Sequence, residues 1–448
     1  MRRLLIVGDH PSLHRGFATV ARHVARGLHA TGRWHVQVIG RHPPAAGSPP
    51  EPYDVFAADT PEDGDGEGDA RLRHLLQSAL GEAVHPSARV TLVSIGTAFD
   101  QQILIDALDD RALRRRVSFV AYLPVNYAPL PPWAGRLFAR FDHVVPFTAF
   151  AARAAAAVCV PTGPPAVSAP IPHGVDTTTF RRPDPEARRR TRLRAFDADD
   201  GAFVVGFFGR NSAHKRPDVA LRIFATFALG AWSTCEACGG VSAWDLDPLD
   251  GARTAPTSCV RCGSAGLTRG RPQPEARLYL HTDLLTPLQR AWAGGWDLAR
   301  LVSGSGVADR VVLAASRRVG EGIGAEDLAA RMGACDVHLL PSEGGGWELT
   351  VLETGACGVP NVITDAGGPP EYAAPFSLLV PPAARVFGRT GLAAHIDEGA
   401  AVQALTRLAA DRRLGGTLGE AGVAVAAAHD WDTVTRAWDR LLGSLPPG

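Results

Sequence analysis

The chain has 448 residues, 46% of them hydrophobic, and its 46 basic and 46 acidic residues leave no formal net charge. That length is long for one domain and comfortable for two, with enough apolar residues for large cores. The balanced charge argues against a broad nucleic-acid surface, which needs a basic surplus, and no stretch approaches the roughly eighteen apolar residues of a membrane span.

The first element is LLIVG, Leu4 to Gly8, a continuous apolar run that suits a strand buried on both faces. Two arginines precede it, but the run stops after about five residues, too short for a signal-peptide core. A cytoplasmic protein is therefore expected. A polar loop follows, and then GFATVARHVARGLHATG from Gly16, where Phe17, Val20, Val24 and Leu28 recur at helical spacing before Gly32. HVQVIG from His35, RVTLVSIG from Arg89, VSFVAYLPV from Val117 and DHVVPFT from Asp142 read as further strands with helices between several of them. Ser48 to Asp69 is rich in Pro, Gly and acids and reads as a mobile loop.

Phe180 to Asp200, rich in Arg, Asp and Pro, reads as an inter-domain linker. The pattern then restarts. FVVGFFG from Phe203 is a buried strand, and RPDVALRIFATFAL opens a helix with Pro217 in its first turn. RLYLHTD, RVVLAA, VHLLPS and VPNVITD supply more strands. Alternating strands and helices in both halves predict two doubly wound, Rossmann-like α/β domains facing across a cleft. Ligands of such sheets sit at the carboxyl ends of the strands, so the site is expected in the loops after Gly8, Gly209 and Ser342.

Three features there suit a phosphate-bearing ligand. In RNSAHKRPDVA, Arg210 follows a strand and Lys215 precedes a helix. A helix N-terminus favours anions, and an arginine fork with a compact ammonium suits a diphosphate. Lys215 is the only lysine of the chain. The general replacement of lysine by arginine reads as coding bias of a GC-rich bacterial kind, which leaves the survival of this one to be explained. In PSEGGGWELTVLE, glycines let a backbone approach a ligand before a helix that starts near Glu348 or Leu349, with Glu353 one turn inside. DAGGPPEY from Asp365 adds a strand end, a glycine pair and an acid.

Four of the seven cysteines form two knuckles, Cys235 with Cys238 and Cys259 with Cys262, each followed by glycine. This is a zinc-ribbon pattern, a closed four-thiolate site for a structural Zn²⁺ inserted at about 232–266. Cys159, Cys335 and Cys357 are isolated and read as core residues. Asp245 and Asp247, between the knuckles, read as solvated loop acids.

The order IPHGVDTTTF, GFFGRNSAHKRPD, LPSEGGGWELTVLETGACGVPNVITDAGGPPE resembles the retaining, nucleotide-sugar-dependent glycosyltransferases of family 4, which have the GT-B fold. The resemblance covers nearly the whole chain, to a closing helix in HDWDTVTRAWDRLL. It implies an N-terminal acceptor domain over 1–180, joined by a linker at 181–200 to a nucleotide-sugar domain over 201–428. The last helix, about 429–448, returns to the first domain. Arg210 and Lys215 match the basic pair that binds the donor diphosphate. Glu353 matches the second glutamate of the family pair, which holds the ribose. Leu349 and Thr350 match positions whose amides approach the phosphates, and Gly16 matches the glycine of the first-domain loop. His173 and Gly174 fall where the family often has Asn-Gly.

The first family glutamate is replaced by Gly345, next to Gly346. Glu343 and Glu348 are the candidates to take its contact with the donor sugar. LPVNYAPLPP from Leu123 stands where many relatives carry an active-site histidine. The reaction implied is transfer of a sugar from a UDP-, GDP- or ADP-sugar to an acceptor hydroxyl with retention, and it needs no catalytic metal. The alternatives are a nucleotide-sugar epimerase or hydrolase of the same fold, and a non-catalytic protein that binds nucleotide sugars or a partner through the zinc ribbon.

Overall fold

A computed structural model of the chain describes residues 2–45, 47–58, 67–81, 90–109, 111–159, 165–246, 253–285, 287–288, 294–316, 323–388 and 390–445. Two parallel sheets organise it. The first has seven strands in the order Asp54–Ala57, Trp34–Arg41, Arg2–Asp9, Val90–Ile95, Val117–Tyr122, His143–Val145, Ala166–Val167. The second has six, in the order Val311–Ser316, Ala276–Asp283, Phe203–Phe208, Val337–Leu340, Asn361–Thr364, Ser377–Val380. The central strands are apolar on both faces because helices cover both, and Val90–Ile95 and Val117–Tyr122 are buried at every position.

In each sheet the first strand of the unit lies inside, with earlier and later strands on opposite sides of it. Arg2–Asp9 lies between Trp34–Arg41 and Val90–Ile95, and Phe203–Phe208 between Ala276–Asp283 and Val337–Leu340. The strand order reverses at those two places, so the loops after Asp9, Phe208 and Leu340 open at topological switch points.

The helix Trp431–Ser444 belongs to the core of the first sheet, although it follows the second in sequence. Trp431, Val434, Trp438 and Leu442 pack with Val20, Val24 and Leu28 of the helix Gly16–Ala30. Asp430 caps its start through the Thr433 amide at 2.6 Å. Arg2 donates to the carbonyls of Leu442, Gly443 and Leu445 at its end.

Two segments differ from the sequence reading. Within Ser48–Asp69, Asp54–Ala57 is an edge strand paired with Gln37–Gly40, and residues 59–66 lie outside the described residues. The segment from Phe180 to Asp200, read as an inter-domain linker, carries regular structure of its own. It forms the helix Pro185–Thr191 and a π-turn, Arg192–Phe196. Arg192 is 1% exposed there and donates to Asp336 and to the carbonyls of Ala202, Ala334 and Asp199. Composition hid this because arginine counts as a surface residue unless its partners are known.

Two additions decorate the second sheet. A three-stranded antiparallel lobe, Val241–Ala243, Trp232–Cys235 and Leu267–Arg269, carries the cysteines and docks on the helix Glu398–Ala410. A hairpin, Pro382–Gly388 with Gly391–Ile396, follows the last strand.

The closing helix leaves no room at Gly27, where an added Cβ would lie 2.0 Å from Thr435 Oγ1. Gly27→Val should therefore destabilise by about 1–3 kcal/mol in chemical denaturation, with part of the loss recovered by Thr435→Ala.

Candidate functional site

Two helices begin face to face across the cleft. Gly16 starts the helix Gly16–Ala30, and an added Cβ on it would lie 3.5 Å from Leu349 Cδ1. Leu349 starts the helix Leu349–Ala356. Among the described residues, the backbone N–H groups of Leu349 and Thr350 have no hydrogen-bond acceptor. A helix start of this kind attracts negative charge.

Lys215 stands before a third helix, Pro217–Leu229. Its ammonium donates to both carboxylate oxygens of Glu348, and both side chains are largely shielded from water. Glu348 is the residue that precedes Leu349, and its backbone is fixed by Tyr372. The Tyr372 hydroxyl accepts from the Glu348 amide at 3.1 Å and donates to its carbonyl at 2.9 Å. The Trp347 ring stacks on Tyr372 at 4.0 Å.

Arg210 is exposed and makes no ion pair among the described residues. Burial, together with the charges of Lys215 and Arg210, lowers His214 to about 3. Two cations therefore act on one neutral imidazole at the strand end. Glu353 is 8% exposed, its carboxylate has no hydrogen-bonding partner among the described residues, and burial raises that carboxyl to about 7. A carboxyl left so bare in the core is an acceptor waiting for donors.

The two acids near the glycines have different settings. Glu343 receives Arg216 Nη1 at 2.8 Å and lies 3.3 Å from His395 Nε2. Glu348 faces Lys215. Gly345 lies against it, since an added Cβ would sit 2.4 Å from Glu348 Oε1.

The glycine loop is walled by the first domain. Asn126 Oδ1 accepts from the Gly346 amide at 2.8 Å, and an added Cβ on Gly346 would lie 3.1 Å from the Val125 nitrogen. Tyr127 lies beside it, and burial with the charges of Glu343 and Glu348 pushes its phenol up to about 12. Glu371, the acid of DAGGPPEY, is engaged by the first domain. It accepts from the Ala149 amide at 2.7 Å and from Arg153 at 3.2 Å, so it joins the domains.

His173 is also structural in its setting. It is buried, bonded through Nδ1 to Tyr122 at 2.8 Å, packed on Phe147 and lowered to about 3 by burial. Gly174 lets Trp431 close against the junction, because a Cβ there would lie 2.7 Å from the ring. Asn126, Tyr127, Arg216 and Tyr372 lie in stretches that the sequence singles out, but no role is assigned to them there. No motif spacing announces their contacts, because each meets a partner from another part of the chain.

The four lobe cysteines are not around Lys215. Their ligand atoms all lie within 4.8 Å of one another, a cluster able to hold a metal ion. Cys235–Cys262 and Cys238–Cys259 are each 3.6 Å apart, near the roughly 3.8 Å edge of a tetrahedron with 2.3 Å metal–sulfur bonds. The two knuckles repeat one geometry. Gly239 N–H bonds the Cys235 carbonyl at 2.9 Å and Gly263 N–H bonds that of Cys259 at 2.8 Å, both glycines having positive φ. Asp245 begins a short ladder with Thr254, and Asp247 lies outside the described residues.

Residues 287–411 match the family model described as glycosyl transferases group 1. Over 153 residues the chain is 37% identical to a GDP-mannose-dependent alpha-mannosyltransferase of Mycolicibacterium smegmatis, covering 33% of this chain and 36% of that protein. It is 28% identical over 271 residues to the GDP-mannose-dependent alpha-(1-6)-phosphatidylinositol monomannoside mannosyltransferase of the same organism, covering 58% of this chain and 52% of that protein. The chain thus spans about a third and about half of these curated relatives. Among solved structures it is similar to sucrose-phosphate synthase from Thermosynechococcus elongatus, with a TM-score of 0.69 at 16% identity over 99% of both chains. Anabaena HepE in complex with UDP and glucose gives a TM-score of 0.65 at 16% identity over 99% of this chain and 100% of that one. The architecture is the GT-B fold, two Rossmann-like domains about a cleft, as in these glycosyltransferase structures.

The raised Glu353 carboxyl has a stability consequence. The folded chain binds this proton more tightly than the unfolded chain, so the contribution of Glu353 to stability should fall as pH rises from 4.5 to about 7 and be level above that, against the opposite slope from buried histidines such as His173 and His214. Glu353→Gln should remove this slope and, without ligand, be more stable than wild type near pH 8 by on the order of 2 kcal/mol. Chemical denaturation at about pH 5 and about pH 8 measures both arms.

Proposed function

We propose that the protein is a glycosyltransferase that moves a sugar from a nucleoside-diphosphate sugar to an acceptor hydroxyl with retention of configuration. The observation that carries this reading is the Lys215 ammonium on Glu348, the residue before a helix start whose Leu349 and Thr350 amides are free among the described residues, with Arg210 exposed after the strand Phe203–Phe208. Those groups suit the diphosphate. Glu353, buried without a partner among the described residues, suits two vicinal ribose hydroxyls, which would supply the donors it lacks. Gly16 starts the facing helix, where a Cβ would be in ordinary contact with Leu349.

In this reading the chemistry is charge management. As the glycosidic bond to phosphate breaks, negative charge grows on the departing diphosphate. Lys215, Arg210 and the helix amides would supply the positive potential there, with the ammonium exchanging Glu348 for phosphate oxygens. The leaving phosphate oxygen accepts the proton of the attacking hydroxyl on the same face of the sugar, which accounts for retention without a strong side-chain base.

Glu348 takes the place of the missing glutamate. Its carboxylate occupies the space into which a side chain at position 345 would project. The exchange of a glutamate at 345 for one at 348 thus preserves a carboxylate beside the lysine, poised for donor-sugar hydroxyls. His173 and Gly174 shape the junction wall, and Gly346 brings the loop against Asn126. The names of the curated relatives put GDP-mannose first in a donor panel, with UDP- and ADP-sugars beside it.

Lys215→Ala should lower donor kcat/KM by about a hundredfold or more, the loss of one or two charge-assisted contacts in a dry site. Lys215→Arg should also impair it by about tenfold, since a planar fork is longer than an ammonium and fits the space against Glu348 poorly. Product analysis by mass spectrometry across the donor panel reads both. Near-normal turnover by Lys215→Ala would remove the assignment.

The cysteine lobe is proposed to hold a structural Zn²⁺ through Cys235, Cys238, Cys259 and Cys262. The ion would stabilise a lobe too small to fold on its own apolar core. Purified protein should carry about one zinc per chain, lost in Cys238→Ser. Elemental analysis finding far less than that in the wild type would rule out four-cysteine ligation.

A further inference from the structure

The two residues that flank Lys215 are both tied to one acid. The Glu343 amide donates to the His214 carbonyl at 2.9 Å. The Glu343 carboxylate accepts from Arg216 Nη1 at 2.8 Å. Glu343 is itself anchored, because its carbonyl accepts from the Ala394 amide of the hairpin at 2.8 Å and its carboxylate faces His395.

Arg216 has an unusual backbone. Its φ is 54° and its ψ 52°, the left-handed region, where a side chain is disfavoured and glycine is at ease. What holds an arginine there is visible. Arg216 Nε and Nη2 each bond a separate oxygen of Asp218 at 3.1 Å. Asp218 is 4% exposed and is held in turn by Arg222, which pairs with Glu398. The guanidinium also lies over the Trp296 ring at 5.8 Å. Strained backbone persists where its surroundings over-determine it, and it gathers at functional sites.

We propose that Arg216 and Glu343 are positioning residues that lock the left-handed turn after Lys215 and so aim its ammonium at the diphosphate. Neither touches the ligand. The two glutamates of the glycine loop have separate roles. Glu348 meets the ammonium, and Glu343 holds the main chain that carries it. The inference rests on the proposed diphosphate role of Lys215, and the test separates the two.

Calorimetric titration of the full chain with GDP and GMP, and with UDP and UMP, measures the preference for a second phosphate. Wild type should prefer one diphosphate over its monophosphate by about tenfold or more, and Lys215→Ala should lose that preference. If wild type shows no such preference with either base, the diphosphate reading itself fails. Given the preference, Arg216→Ala should lose about as much of it as Lys215→Ala, and the double variant should lose no more than Lys215→Ala alone. Arg216→Gly should recover most of the loss, because glycine accepts the turn without the clamp. Glu343→Gln, a mild change should Arg216→Ala fail to fold, should lower the preference several-fold. An undiminished preference in Arg216→Ala and Glu343→Gln would overturn the proposal. So would additive losses in the double variant, or an Arg216→Gly no better than Arg216→Ala, since either would mean that Arg216 acts on the ligand directly.

Discussion

The site depends on an ammonium and a carboxylate held together where water is scarce. Lys215 and Glu348 are each mostly shielded, and each belongs to a different loop at the end of a different strand. Removing two charges from water is costly, and their mutual attraction offsets that cost only when the geometry is good. Here it is, because Tyr372 fixes the Glu348 backbone from both sides and the clamp on Arg216 fixes the chain beside Lys215. Such a pair is well suited to an exchange of partners. In the proposed reading, an arriving phosphate would bring its own negative charge to the ammonium and release the carboxylate toward hydroxyls.

Domain closure builds the same place from the other side. Asn126 bonds the glycine loop, Glu371 caps the first-domain helix Ala149–Ala156, and the closing helix spans back to the first core. Glycine is required at these contacts for reasons of space more than of turn type. A Cβ on Gly344 would lie 2.6 Å from the Asn126 carbonyl, and one on Gly368 would lie 2.4 Å from the Gly346 carbonyl. The run GGG is therefore packing chemistry as much as ligand chemistry. It lets two backbones meet with no side chain between them.

Contacts of this kind also decide what could be read in advance. The two-domain architecture was legible because strands buried on both faces leave unbroken apolar runs, such as Leu4 to Val7. The cysteine cluster was legible because thiolate spacing is a local code, and Lys215 because composition isolates it. Glu343 and Glu348 could not be told apart, since the distinction lies in which cation each meets, and those cations come from another loop. Asn126 and Tyr127 were invisible for a like reason. Their role follows from contact across the cleft, between positions more than two hundred residues apart. Arg192 shows the same limit in the core, where one buried guanidinium binds a carboxylate and three carbonyls and docks a segment that composition reads as a linker.

The decorations converge on one helix, Glu398–Ala410, and their shared target gives them a common physical purpose. The cysteine lobe approaches it closely, since a Cβ on Gly399 would lie 2.4 Å from the Val241 carbonyl, and Arg261 reaches its cap, Asp397, at 2.5 Å. The hairpin enters it at Ile396, one residue from that cap. Its first residue, Glu398, holds Arg222, which holds Asp218, which holds Arg216. Each exposed link is weak by itself, with Arg261 about half exposed, so charge does not carry a signal along this path. What the path provides is rigidity. The buried end, Asp218 with Arg216, is where stiffness has value, because a left-handed arginine needs firm neighbours. On this view the lobe and the hairpin brace the outside of the helix whose start supports that turn, and the brace is worth most where the chain is least at ease.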